Sequence, residues 1–210
     1  MWALVRREIE DMWVYYLSVI LFSVILILLA VSNTFYGERS DSEGFKICIV
    51  FGTTASCLLF AAMGVSQMYL DRTKKISAFL SAHTVGRSHV YIAKIITGFL
   101  LILIFYAAVA VSFLIFISPY NTPYYTASQM LVIRFLSVTC LAGASCYSLG
   151  LSMGWTSGKI FPTLGTLVLV ILLLTLILIK GISSILYILF SILIGLMLLH
   201  AWQIYRKTAL

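Results

Sequence analysis

The sequence predicts an all-α integral membrane protein, a single transmembrane domain over residues 1–210 with six transmembrane helices and both termini in the cytosol. Three observations lead there. The chain is 62% hydrophobic and 10% charged, with a mean hydropathy of +1.08, whereas soluble domains carry about a quarter charged residues. A soluble fold built from it would lack the polar side chains to cover its outside, so its main solvent is hydrocarbon. Six apolar runs have roughly the 20 residues a helix needs to cross a bilayer core, and cations collect at their ends with a strong bias to one side.

The first element is not a cleavable signal, because "MWALVRREIEDMW" places charge where a short apolar core would begin. Trp2, Val5, Ile9 and Met12 or Trp13 form an apolar stripe, which predicts an interfacial helix over residues 1–13. The first span follows at Val14–Val31. An acidic outer loop, "GERSDSEGFK", leads to the second at Ile47–Leu70, and the third, Val90–Ile117, is long enough to tilt or project. "SPYNTPYYTASQ", with Pro119 and Pro123, predicts an outer turn whose tyrosines rest at headgroup level. In the fourth span, Met130–Met153, Ala142, Cys146, Gly150 and Gly154 recur every fourth residue through its end. Such a stripe lets helices approach closely and predicts helix packing. The fifth and sixth spans, Ile160–Ile179 and Ile182–Trp202, meet at "KGIS".

With the N-terminus inside, the inner side holds Arg6, Arg7, Arg72, Lys74, Lys75, Arg87, Lys94, Lys159, Arg206 and Lys207, and the outer side Arg39, Lys46, Arg134 and Lys180. That is the positive-inside pattern of a multi-pass protein of the plasma or inner membrane. All four tryptophans, Trp2, Trp13, Trp155 and Trp202, then fall near the inner interface. The net charge of +7 is thus a topology signal with some attraction to anionic headgroups. No basic run with interleaved aromatics points to nucleic acid.

Several chemistries lack their residues. Cys48, Cys57, Cys140 and Cys146 lie inside apolar runs at spacings that fit no zinc pattern, and read as packing residues. No His-Glu-x-x-His helix and no Gly-x-x-x-x-Gly-Lys-Ser/Thr phosphate loop occurs, so no metal, cofactor or catalytic residue is expected in this chain. "GASC", with Ser145, and His200 in the sixth span suggest an intramembrane serine protease, but the small-residue stripe explains the same glycine and serine more simply. No carboxylate follows Asp71, and the seven present are expected in loops or the N-terminal segment. Ion-coupled transporters keep ionisable groups inside their spans. Arg134 is the one such residue set into a span from the outer end; it either snorkels to the headgroups or lines a substrate path.

The stretch "DRTKKISAFLSAHTVGRSHVYIAK", Asp71 to Lys94, interrupts this apolar chain with five cations, one carboxylate, His83 and His89. Ile76, Phe79, Leu80 and His83 fall at i, i+3, i+4 and i+7 on one helical face, with Lys74, Lys75, Ser77 and Ser81 on the others and Gly86 as a stop. By pattern alone this is a short interfacial helix.

The same run resembles the loop between spans two and three of ABC-2-type transporter permeases. There an acidic-basic pair precedes an apolar stretch, a Pro-Val-Ser-Arg element and a lysine opening the third span. Asp71-Arg72 stands for the pair, Thr84-Val85-Gly86-Arg87 for the four-residue element and Lys94 for the closing lysine. Thr84 and Gly86 depart from the proline and serine. The resemblance implies a cytosolic coupling helix over residues 71–89, docked on a separate ATPase subunit through Arg72, Ile76, Phe79, Leu80, His83 and Arg87. It makes residues 1–13 an elbow helix. It also implies a second permease copy in a homodimer or paired with a paralogue, with ATP and Mg on the partner ATPase. The function implied is export of a hydrophobic or amphipathic substrate such as a lipid, peptide or drug. A non-transporting polytopic scaffold is the alternative that shares the same helices.

Overall fold

The computed structural model describes residues 2–36, 42–74, 87–117, 125–154 and 184–208, with side chains described over 2–28, 31, 52, 54–71, 88–115, 133–154 and 185–206. These residues are helical apart from a turn at Met12: α1 Trp2–Asp11, α2 Trp13–Tyr36, α3 Ser42–Lys74, α4 Arg87–Ile117, α5 Tyr125–Gly154 and α6 Ser184–Thr208. No strand occurs among them. None of the three prolines lies in these helices, so none of the helices carries the ladder break a proline imposes.

The stretches Ser88–Ile115 of α4, Ile133–Gly154 of α5 and Ile185–Arg206 of α6 are long and apolar enough to cross a membrane. The α1–α2 pair makes a fourth if it counts as one span bent by 73°. Outward faces suit hydrocarbon: Val14, Leu17, Leu21, Val24 and Leu28 are exposed along one side of α2, and Ile185, Ile188, Ile192, Leu196 and Leu199 along one side of α6. These are the surfaces of a membrane protein. Of the six expected spans, the third, fourth and sixth coincide with the three stretches, and the first falls on α2. The second falls on the 33-residue α3, and Ile160–Ile179 lies outside the described residues.

Helix α5 is the centre of the packing, set most extensively against α3, then α6 and α4, while α2 lies along α4 and α1 rests mainly on α4. Small residues let α3 and α5 come together. A Cβ on Gly150 would land on the Ala61 carbonyl oxygen, one on Gly154 on the Val65 carbonyl, and one on Gly64 on the Tyr147 carbonyl. Ala142 and Cys146 pack with Cys57 of α3 and with Leu186 and Phe190 of α6. Where α3 and α4 meet, Phe60 stands edge-on to Phe105 with ring centres 5.7 Å apart, a favoured aromatic geometry.

The buried face of α1 differs from the expected apolar stripe. Val5 and Met12 are buried, but Trp2 and Trp13 are 74% and 59% exposed, and the residue completing the inner face is Glu8, 2% exposed. Positions 5, 8 and 12 share one side of a helix, and a carboxylate is tolerated there because it meets a cation. At the corner the hydrogen bonding continues: the Met12 N–H donates to the Glu8 and Ile9 carbonyls at 3.1 and 3.2 Å, and the Tyr15 N–H to the Met12 carbonyl at 3.0 Å.

Candidate functional site: a buried ion cluster

Near the C-terminal end of α3 and the N-terminal end of α4, polar side chains from five helices converge. At the centre is Lys94, 1% exposed. Its Nζ donates to Glu8 Oε1 and Oε2 at 3.0 and 2.9 Å and to the Gln67 carbonyl at 3.4 Å. Asp71 Oδ1 lies 3.3 Å from the same nitrogen, and Asp71 is also 1% exposed. Its second oxygen, Oδ2, is buried with no hydrogen-bond partner. Burial pushes the Asp71 carboxyl above the usual carboxylate range, Lys94 pulls it back, and the neighbouring Glu8 charge pushes it up again.

Arg7 completes the set from the solvent side. Its Nη2 donates to Glu8 Oε1 at 3.1 Å, and its Nε lies 3.8 Å from Asp11 Oδ2. Glu8 and Asp71 are thus offset by Lys94 and Arg7. Taking each ion from water costs several kcal/mol, which only close pairing and hydrogen bonding recover.

Neutral groups hold these ions in place. The Tyr147 hydroxyl of α5 lies 2.7 Å from both Gln67 Oε1 and the Lys94 carbonyl, within reach to donate its one proton to either. Gln67 Nε2 donates to Thr97 Oγ1 at 3.3 Å, and the Tyr16 hydroxyl of α2 to the Thr97 carbonyl at 2.8 Å. Gly98 leaves the room for this tyrosine, since a Cβ there would strike the Tyr147 ring.

These positions correct the sequence reading at both ends of the interrupting stretch. Asp71 and Lys94 were expected to bound a solvent-facing segment. Instead, α3 stays helical through Lys74, α4 starts at Arg87, and both residues turn inward onto each other. The expectation that every carboxylate lies in a loop or the N-terminal segment fails at Asp71 for the same reason: paired charges can be buried where lone ones cannot. Glu8 was missed altogether. Its signal was a carboxylate on the same helical face as Val5 and Met12, with Lys94 as a lone cation in the apolar run that begins at Val90.

Of the residues assigned to ATPase docking, Ile76, Phe79, Leu80 and His83 lie outside the described residues. Arg72 sits in the last turn of α3 and Arg87 opens α4, and their side chains also lie outside the described set. Arg134 is exposed on α5, and its carbonyl accepts the Tyr187 hydroxyl of α6 at 3.1 Å. The serine-histidine pairing has no geometry behind it: Ser145 is buried and donates to the Leu141 carbonyl at 2.8 Å, while His200 is exposed. Cys57, Cys140 and Cys146 are free thiols, and among the described residues no three His, Cys, Asp or Glu side chains gather to hold a metal ion.

A separate crevice of about 320 Å³ opens between Leu17, Leu21 and Phe22 of α2, Ser56 and Leu59 of α3, and Phe105 of α4. Its walls are almost wholly apolar and suit a hydrocarbon group. The ion cluster, by contrast, can hold helices in register, exchange hydrogen-bond partners and take up a proton. No protein-family model, curated protein or solved structure matches the chain significantly.

Proposed function

We propose that the chain is the permease subunit of an ATP-driven exporter, working in a cell membrane with a second permease copy and a separate ATPase chain. The observation that carries this reading is the clamp across residues 75–86. Asp71 near the end of α3 and Lys94 near the start of α4 form a buried ion pair, and Glu8 of α1 joins it. A segment whose two flanking helices are locked together transmits force as one body, so a push on residues 75–86 reaches α3 and α4 at once, and α1 while Glu8 is docked. A coupling helix needs that property, and the sequence from Asp71 to Lys94 resembles the segment ABC-2 permeases use for coupling.

In this reading Phe79, Leu80 and His83 seat in the ATPase, flanked by Ile76 and by the cations Arg72 and Arg87. Helix α1, set at 73° to α2, serves as the elbow at the inner membrane surface. ATP and Mg bind the partner subunit, and nucleotide binding there biases a two-state permease. An apolar or amphipathic cargo is in keeping with the hydrocarbon-lined crevice.

The test is a mild-detergent pull-down of tagged protein from its native membrane, with partners identified by mass spectrometry. A stoichiometric ATPase that disappears in Leu80→Asp supports the reading. Recovery of the folded chain with other membrane proteins and no ATPase overturns it and favours the scaffold alternative.

A further inference from the structure

We infer that α1 is a detachable latch and Lys94 its two-position cation: paired with Glu8 it holds α1 on the bundle, and it passes to Asp71 when α1 swings away about Met12. The inference concerns this chain alone and does not depend on an ATPase or a cargo.

The first support is the distribution of charge across the surface along which α1 would part. On the α1 side stand Glu8 and Arg7, already bonded to each other at 3.1 Å. On the bundle side stand Lys94 of α4 and Asp71 of α3, 3.3 Å apart. Separation therefore leaves Glu8 with Arg7, which Asp11 also approaches at 3.8 Å, and Asp71 with Lys94. Breaking an ordinary buried ion pair strands a charge in a poorly solvating place, whereas here neither half is stranded. The other polar groups facing the cluster, Gln67 of α3, Thr97 of α4, Tyr147 of α5 and Tyr16 of α2, all belong to the bundle and stay with Lys94.

The second support is the unused acceptor. Buried carboxylate oxygens normally have partners, yet Asp71 Oδ2 has none, while the closest contacts of the Lys94 ammonium are to Glu8, at 3.0 and 2.9 Å. Once Glu8 leaves, the donor capacity it held becomes available beside an aspartate already within ion-pair distance.

The third support is the attachment of α1 itself. Val5, Glu8 and Met12 are its buried side, while Trp2, Arg6 and Glu10 face outward. So small an apolar contact leaves a helix among the first elements to open. The turn at Met12, where α1 meets α2 at 73°, gives it a pivot.

The experiment uses the full-length chain in detergent micelles, with Cys48, Cys57, Cys140 and Cys146 replaced by alanine. Val5→Cys, buried when α1 is docked, then reports opening by its rate of reaction with a maleimide. Asp71→Asn removes the second berth for Lys94 and should slow labelling, on the order of tenfold. Glu8→Gln removes the first berth and should speed it by a similar factor. Both variants should elute as folded protein, since Lys94 keeps one carboxylate in each. A purely structural cluster predicts the same sign for both, with α1 loosened whichever anion is removed. Faster or unchanged labelling in Asp71→Asn, or failure of that variant to fold, overturns the latch.

Discussion

Lys94 is the buried cation that Glu8 and Asp71 share, and both face it with less than a few per cent of their side chains exposed. Lys94→Met would leave two buried carboxylates facing each other. The expected loss of stability is about 3–5 kcal/mol, read as a fall in thermal unfolding temperature in micelles. Tyr147→Phe is milder, since it removes one hydroxyl from the Lys94 and Gln67 acceptors, and about 1–3 kcal/mol is expected. Asp71 gives a pH test with a definite sign. Its carboxyl is raised in the fold, chiefly by burial, so the folded chain holds that proton more tightly than the unfolded one does. Stability from this group therefore grows on acidification and is lost as pH rises through the raised folded value. As pH falls toward the ordinary aspartate value of about 4, wild type should gain unfolding temperature relative to Asp71→Asn, which lacks that titration; parallel curves would contradict the assignment.

At the scale of elements, close approach and charge pairing act at different places. Gly150→Leu would drive a side chain into the Ala61 carbonyl, and backbone cannot move aside as a flexible side chain can. Helices α3 and α5 should separate at a cost of about 1–3 kcal/mol or more. Gly195→Leu is the control, because a Cβ there meets nothing within 4 Å among the described residues. Comparing the two unfolding temperatures separates a packing effect from a general glycine effect. The stripe from Ala142 to Gly154 was legible in sequence because its period of four is local to one helix. The helical character of α2, α4, α5 and α6 was legible from apolar runs for the same reason. The ion cluster was not. Glu8 and Lys94 lie 86 positions apart, and no periodicity within either helix names the other. Asp71 and Lys94 were singled out as motif residues, yet a linear motif gives their spacing along the chain and not the inward rotation that joins them. The face of α1 was misjudged because a stripe drawn from hydropathy alone passes over a carboxylate that has a partner elsewhere.

For the whole molecule, the cation distribution predicts that residues 2 and 210 share the cytosolic side while residues 37–46 lie opposite. A fluorescent-protein fusion at Leu210 should glow, and a phosphatase fusion near Gly44 should be active; the reverse pattern would invert the topology. Phe79→Asp, like Leu80→Asp, should abolish nucleotide-dependent transport at normal expression, since the proposed docking surface lies outside every described helix.

Synthesis gives the cluster an order in time. Glu8 emerges from the ribosome 86 residues before Lys94, a delay of roughly 4–17 s at ordinary elongation rates. Through that interval Glu8 lacks its lysine, as Asp71 does once it has been made, and α1 has no buried berth to occupy. A nascent chain halted after α3 therefore holds an aspartate without the lysine that pairs with it in the finished fold. Arrival of the fourth helix supplies the missing cation to both carboxylates in one step, so α1 docks as a late event and its closure marks a correctly inserted N-terminal half.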